Sequence, residues 1–142
     1  MSPPEPADVT TALQRLSSAG HRMTRQRALI VREFARRKEY TTAKALHVRL
    51  RRRARGIGLA TVYRALEAMR EHGLVTVAQA GGEAAYLLCV ASHHHHAVCT
   101  SCGRVDDVPC RARPGLQRML ARLRFRLTEH QMQFFGVCAR CS

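Results

Sequence analysis

The residues able to do chemistry in this chain are concentrated in its second half. Cys99-x2-Cys102 and Cys138-x2-Cys141 form a double C-x2-C. Each pair can reach one ion from a tight turn, and two pairs complete the tetrahedral thiolate cage that suits Zn(II). A redox C-x2-C or two disulfides are the alternatives. The redox reading lacks the strand-then-helix context of a thioredoxin-like site, and thiols in a reducing compartment more often serve as metal ligands than as disulfides. Cys99, Cys102, Cys138 and Cys141 are therefore expected to hold a structural zinc. Four thiolates make a closed centre without an open position, whose role is to hold the fold.

Ahead of the first pair runs His93-His94-His95-His96. A purification tag normally sits at a terminus, whereas this run lies between apolar segments. In extended backbone, alternate side chains face opposite ways, so His94 and His96 share one side and His93 and His95 the other. The candidate regulatory set is Cys89, His94, His96 and Asp107. Its mixed S, N and O donors suit Zn(II), and would suit Fe(II) or Mn(II) better without the thiolate. The plain alternative is a polar histidine run at a surface.

The elements that must position these donors read as two domains. Residues 1–8 are expected to be a disordered N-terminus, 9–88 a winged-helix DNA-binding domain, 89–96 a hinge and 97–142 a zinc-stapled dimerisation domain. Val9–Ala19 has apolar residues at helical spacing and closes at Gly20. Thr24 caps a second helix, expected to bury Ala28, Leu29, Val31 and Phe34. Thr42 caps a third, with Ala45, Leu46 and Leu50 inward. After the GIG break at 56–58 comes ATVYRALEAMREHG, with Val62, Leu66 and Met69 on the buried stripe and Gly73 as its cap. LVTVAQ and AAYLLC around a Gly-Gly turn read as a hairpin. Helices followed by a hairpin describe a winged helix-turn-helix, whose last helix enters the major groove. That helix offers Thr61, Tyr63 and Arg64 to DNA. Arg22, ahead of the second helix, and the cluster Arg49, Arg51, Arg52, Arg53 and Arg55 are either phosphate contacts or a solvated face. In the second half, GRVDDV and MQFFGV read as strands around an amphipathic LQRMLARLRF helix. The fold class is thus α+β, a winged helix plus a small α/β domain.

The charge agrees with a polyanion partner. The chain of 142 residues has a formal charge of +14, with 16 basic and 6 acidic side chains in residues 1–80. A basic N-terminal half points to nucleic acid, although a preference for arginine codons would also raise it, since only Lys38 and Lys44 are lysines. No apolar run approaches the roughly eighteen residues of a membrane span. MSPPEPAD has no apolar h-region, so a cytoplasmic protein is expected.

With these segments in order, the chain resembles the ferric uptake regulator (Fur) superfamily of bacterial metal-responsive repressors. The matching stretches are HRMTRQRALIV, ATVYRALEAMREHGLV, HHHHAVC-x2-CG and FFGVCARC. The resemblance implies a homodimer that binds double-stranded operator DNA and represses metal-uptake genes when loaded. Within the family it is most similar to the zinc uptake regulators, which implies about two Zn(II) per chain, one structural and one regulatory. Iron- and peroxide-sensing members carry a histidine where this chain has Tyr40, and a carboxylate or histidine where it has Cys89. Such a sensor remains the alternative within the family. Relatives often take an Asp or His ligand from the wing, but Thr76 stands there, so Asp107 is assigned as fourth ligand. A third family site would use His93, His95 and His130 with a Glu from the following helix, where RARPGLQ has no acid. Cys110 could stand in, or is an ordinary buried or free thiol.

Two further classes can be weighed. A zinc hydrolase or deaminase needs an open zinc position and a general base, in the deaminases an H-x-E motif. No H-x-E occurs, so no enzyme and no small organic substrate is expected. A zinc-stapled protein-interaction module with an incidental basic half is the alternative from another class.

Overall fold

The computed structural model describes residues 7–90, 94–110, 114–128 and 130–142. His93 lies outside them. The chain divides into two units, Met1–Ala91 and Ser92–Ser142, and each is described by itself.

The first unit contains α1 (Ala7–Ser18), α2 (Arg25–Ala35), β1 (Thr41–Thr42), α3 (Ala43–Arg51), α4 (Leu59–Glu71), β2 (Val75–Ala80) and β3 (Glu83–Leu88). Both threonine caps form as expected. Arg27 N donates to Thr24 Oγ1 at 3.1 Å and Ala45 N to Thr42 Oγ1 at 3.2 Å. Each satisfies a backbone donor left open by the first helical turn. Val9, Leu16, Phe34, Leu46, Leu50, Val62, Leu66 and Met69 meet in one core. β2 and β3 pair antiparallel through Val77 opposite Tyr86, and Gly81 and Gly82 make the turn with positive φ, a conformation that glycine adopts without Cβ strain.

Three details differ from the expectation. On α2, Ile30 is fully buried while Leu29 is only half-buried, because α2 packs against α1, α3 and α4 and so is covered on more than one side. On α3, Ala43 points inward and Ala45 is exposed. The third is β1, which pairs antiparallel with β3 at Thr41–Tyr86 and widens the hairpin to a three-stranded sheet of order β1-β3-β2. Two residues have no period to read, so this strand was invisible in the pattern.

The second unit contains β4 (His94–Cys99), β5 (Val105–Pro109), α5 (Pro114–Arg122) and β6 (Gln133–Gly136). β4 is the central strand, antiparallel to β5 and parallel to β6. Among its described residues the buried hydrophobic side chains are only Cys99 and Val105, while Phe125, Phe134, Phe135 and Val137 are exposed. So much exposed apolar surface on so small a unit is the mark of an interaction face.

Candidate metal centres and DNA-facing surface

Cys99 ends β4, Cys102 follows in a turn closed by Gly103 N donating to Cys99 O at 2.9 Å, and Cys138 and Cys141 form a matching turn after β6. The parallel pairing of β4 with β6 is what brings the two turns together. All four sulfurs lie within 4.8 Å of one another, and none is in a disulfide. Zn–S bonds of about 2.3 Å at tetrahedral angles separate sulfurs by about 3.8 Å. Cys102 Sγ and Cys138 Sγ are 3.8 Å apart, so the set fits a zinc ion. The Cys99 thiol is drawn down to about 6, first by the Cys138 backbone N–H donating to its sulfur at 3.3 Å and then by that of Cys102. Cys141 is pushed up to about 12 by the neighbouring thiols of Cys138 and Cys102. Backbone donors favour the thiolate, and crowded sulfurs oppose a second charge.

A second set forms where β4 pairs with β5. His96 is opposite Asp107 in register, and His94 lies two residues along the same face. His94 Nε2 is 3.2 Å from His96 Nε2 and 3.4 Å from Asp107 Oδ1, and His96 Nε2 is 3.9 Å from that oxygen. Ligand bonds of about 2.0–2.1 Å around one tetrahedral ion give separations of about 3.3 Å, so these three groups fit a shared ion. Cys89 is in the other unit, just past β3, where its backbone N donates to Leu74 O at 2.9 Å. Thr76 lies in β2 opposite Leu87.

On the opposite face of β4, His95 is buried and meets His130 with ring centroids 5.0 Å apart. Cys110 Sγ is 3.3 Å from His130 Nε2, so Cys110 is a neighbour of these histidines and not an isolated thiol. These three donors also cluster. Met132 N donates to His95 Nδ1 at 3.3 Å.

The DNA-facing expectations fall into two groups. On α4, Tyr63 is 40% exposed, and Arg64 Nη2 donates to Thr61 Oγ1 at 3.3 Å, so the three residues form one outward patch. Arg22 is exposed, and Arg27 Nη1 donates to its carbonyl at 2.6 Å. Arg51, Arg52 and Arg55 line an open basic cleft with His47, Val48 and Ile57. Arg49 is different. It donates to Glu39 Oε1 at 2.9 Å and lies 3.7 Å from Glu33, a carboxylate only 8% exposed that Arg53 approaches to 3.3 Å. Arg49 is a structural counter-charge inside the unit, a role its place in an arginine run concealed.

A winged helix in one chain with clustered thiol and imidazole donors is the make-up of a metal-responsive DNA-binding regulator. The sequence pattern of the ferric uptake regulator family matches residues 18–135, and the chain belongs to that family of transcription regulators. It is 39% identical to the zinc uptake regulation protein of Mycobacterium tuberculosis (strain CDC 1551 / Oshkosh) over 128 residues, 89% of this chain and 98% of that protein. Among solved structures it is similar to a zinc uptake regulator complexed with zinc and DNA, with TM-score 0.71, 25% identity, and coverage of 94% of this chain and 91% of that one. It is also similar to the Vibrio cholerae ferric uptake regulator, with TM-score 0.65, 32% identity, and coverage of 88% and 98%.

Proposed function

We propose that this chain is a zinc-dependent, homodimeric, cytoplasmic repressor of metal-uptake genes, switched by about two Zn(II) per chain. The donor chemistry carries the choice of zinc. Cys99, Cys102, Cys138 and Cys141 hold the structural ion, and Cys89, His94, His96 and Asp107 hold the regulatory one. A thiolate beside two imidazoles favours zinc over iron or manganese. Zinc supplies charge neutralisation and fixed tetrahedral geometry at both positions, with no reaction to perform.

Cys89 ends the wing and His94 begins the second unit's sheet, so ligation by both constrains the segment that joins the two. Thr61, Tyr63 and Arg64 of each protomer then address successive major grooves, roughly 34 Å apart, while Arg22 adds phosphate affinity. His95, His130 and Cys110, with His93, would be a third centre, to which the RARPGLQ segment adds no acid. The 39% identity to a zinc uptake regulation protein supports the zinc reading.

The test is elemental analysis of protein purified without added metal and exposed to increasing chelator, paired with operator binding. The expected result is one zinc lost early, together with DNA affinity, and one retained. A single tightly held zinc, with no second taken up on adding zinc back, would defeat the hinge site. Operator binding that follows Fe(II) in place of zinc would identify an iron or peroxide sensor.

A further inference from the structure

Outside these centres, the described residues of the first unit include one more group of convergent donors. His21, in the α1–α2 connection, and His72, which caps the C-terminus of α4, turn their Nε2 atoms toward each other at 2.8 Å. Their rings meet edge to face with centroids 4.9 Å apart. The Glu71 carboxylate completes the group, and one donor atom of each residue lies within 4.8 Å of the others. Both histidines are half-buried and Glu71 is exposed, so the place is open to ions.

We propose that His21, Glu71 and His72 form a metal site on the DNA-binding unit for a borderline divalent transition ion of the zinc class. Two imidazoles and one carboxylate make an N,N,O set, which such ions prefer to Mg(II) or Ca(II). Bound imidazole nitrogens on a tetrahedral ion stand about 3.3 Å apart. The two Nε2 atoms at 2.8 Å therefore need to part by only about half an ångström, exchanging one shared proton for one ion. Glu71 and His72 lie at the C-terminal end of α4, where the helix dipole favours a cation, although Arg15 Nη2 already takes up part of that field by donating to His72 O at 3.2 Å. The ion would clamp the end of α4 to the residue preceding Arg22. Occupancy would thus steady the DNA-facing helix and the Arg22 contact together. This site shares no ligand with the hinge, and its existence does not depend on which metal the hinge selects.

The experiment uses the full chain with the hinge set disabled by His96→Ala, so that any labile ion belongs elsewhere. Zinc per chain is measured after equilibration at a series of buffered free-zinc concentrations, for H96A and for H96A/H72Q. Gln at position 72 keeps a polar cap, and thermal melts in chelator check that both variants fold alike. Should H72Q destabilise the fold, E71Q and H21Q take its place. The expected result is one weakly held zinc in H96A whose affinity falls at least tenfold in H96A/H72Q. Equal zinc content and affinity in the two variants would mean that the imidazoles share only a proton, and the proposal would be overturned. The same binding curve with His95→Ala added separates this site from the His95 cluster. Loss of the labile zinc there, and not in H72Q, would also overturn it.

Discussion

At the scale of single residues, chemistry and burial separate side chains that look alike in the sequence. Each cysteine of the double C-x2-C supplies one corner of a cage that fits zinc, so Cys138→Ser should abolish chelator-resistant zinc and lower the melting temperature of the second unit. Elemental analysis and calorimetry would check this. Retention of the tight zinc in that variant would remove Cys138 from the cage. Arg49 and Arg64 make a second contrast. Arg49 neutralises Glu33 and Glu39, with a side chain only 17% exposed, so Arg49→Ala should cost about 2–3 kcal/mol of stability by leaving buried charge poorly paired. Arg64 faces outward from α4, and its removal should change stability by less than about 0.5 kcal/mol. Operator binding, in contrast, should weaken by roughly 1–3 kcal/mol. Urea denaturation and fluorescence anisotropy on both variants decide it. The reverse pattern would exchange their roles.

At the scale of elements, the second unit is incomplete by itself. β6 presents Phe134 and Phe135, with Phe125 and Val137 also exposed around it. A sheet with aromatic residues in water is a liability unless it is covered. Covering by a second copy accounts for this, and Phe135→Asp should shift the protein toward monomer and reduce operator affinity with it. Analytical ultracentrifugation gives the answer directly: an F135D dimer as tight as the wild type would move the interface elsewhere. The first unit differs in kind. Its helices and the β1-β3-β2 sheet enclose a continuous core from Val9 to Tyr86, and that core is the rigid support on which Thr61, Tyr63 and Arg64 depend.

At the scale of the whole molecule, the proposed switch is a coupling between metal and DNA. A hundredfold gain in operator affinity on zinc binding requires about 2.7 kcal/mol, an ordinary allosteric magnitude. Linkage makes the effect reciprocal, so saturating operator should tighten the labile zinc by the same factor. Competition with a chromophoric chelator, with and without operator, measures it. An unchanged zinc affinity on the operator would rule the coupling out. In the proposed switch, metal shifts a population between arrangements, so the apo protein should keep weak, salt-dependent DNA binding through its basic residues.

Much of this was legible in the sequence because it is written in spacing. Two C-x2-C pairs, caps at Thr24 and Thr42, a Gly-Gly turn and the helical period of ATVYRALEAM are local signals, each set by interactions within a few residues. They carried the α+β class, and they single out the four cysteines whose sulfurs the fold gathers and the outward-facing α4 residues proposed to meet DNA. Tertiary structure alone decided what depends on distant partners. The pairing of β1 with β3 joins residues more than forty positions apart, and two threonines carry no trace of it. Glu33 with Arg49, Cys110 with His130 and His21 with His72 are charge and donor pairs made by packing. The energy of such a pair depends on its distance and burial, and neither quantity exists until the chain has folded.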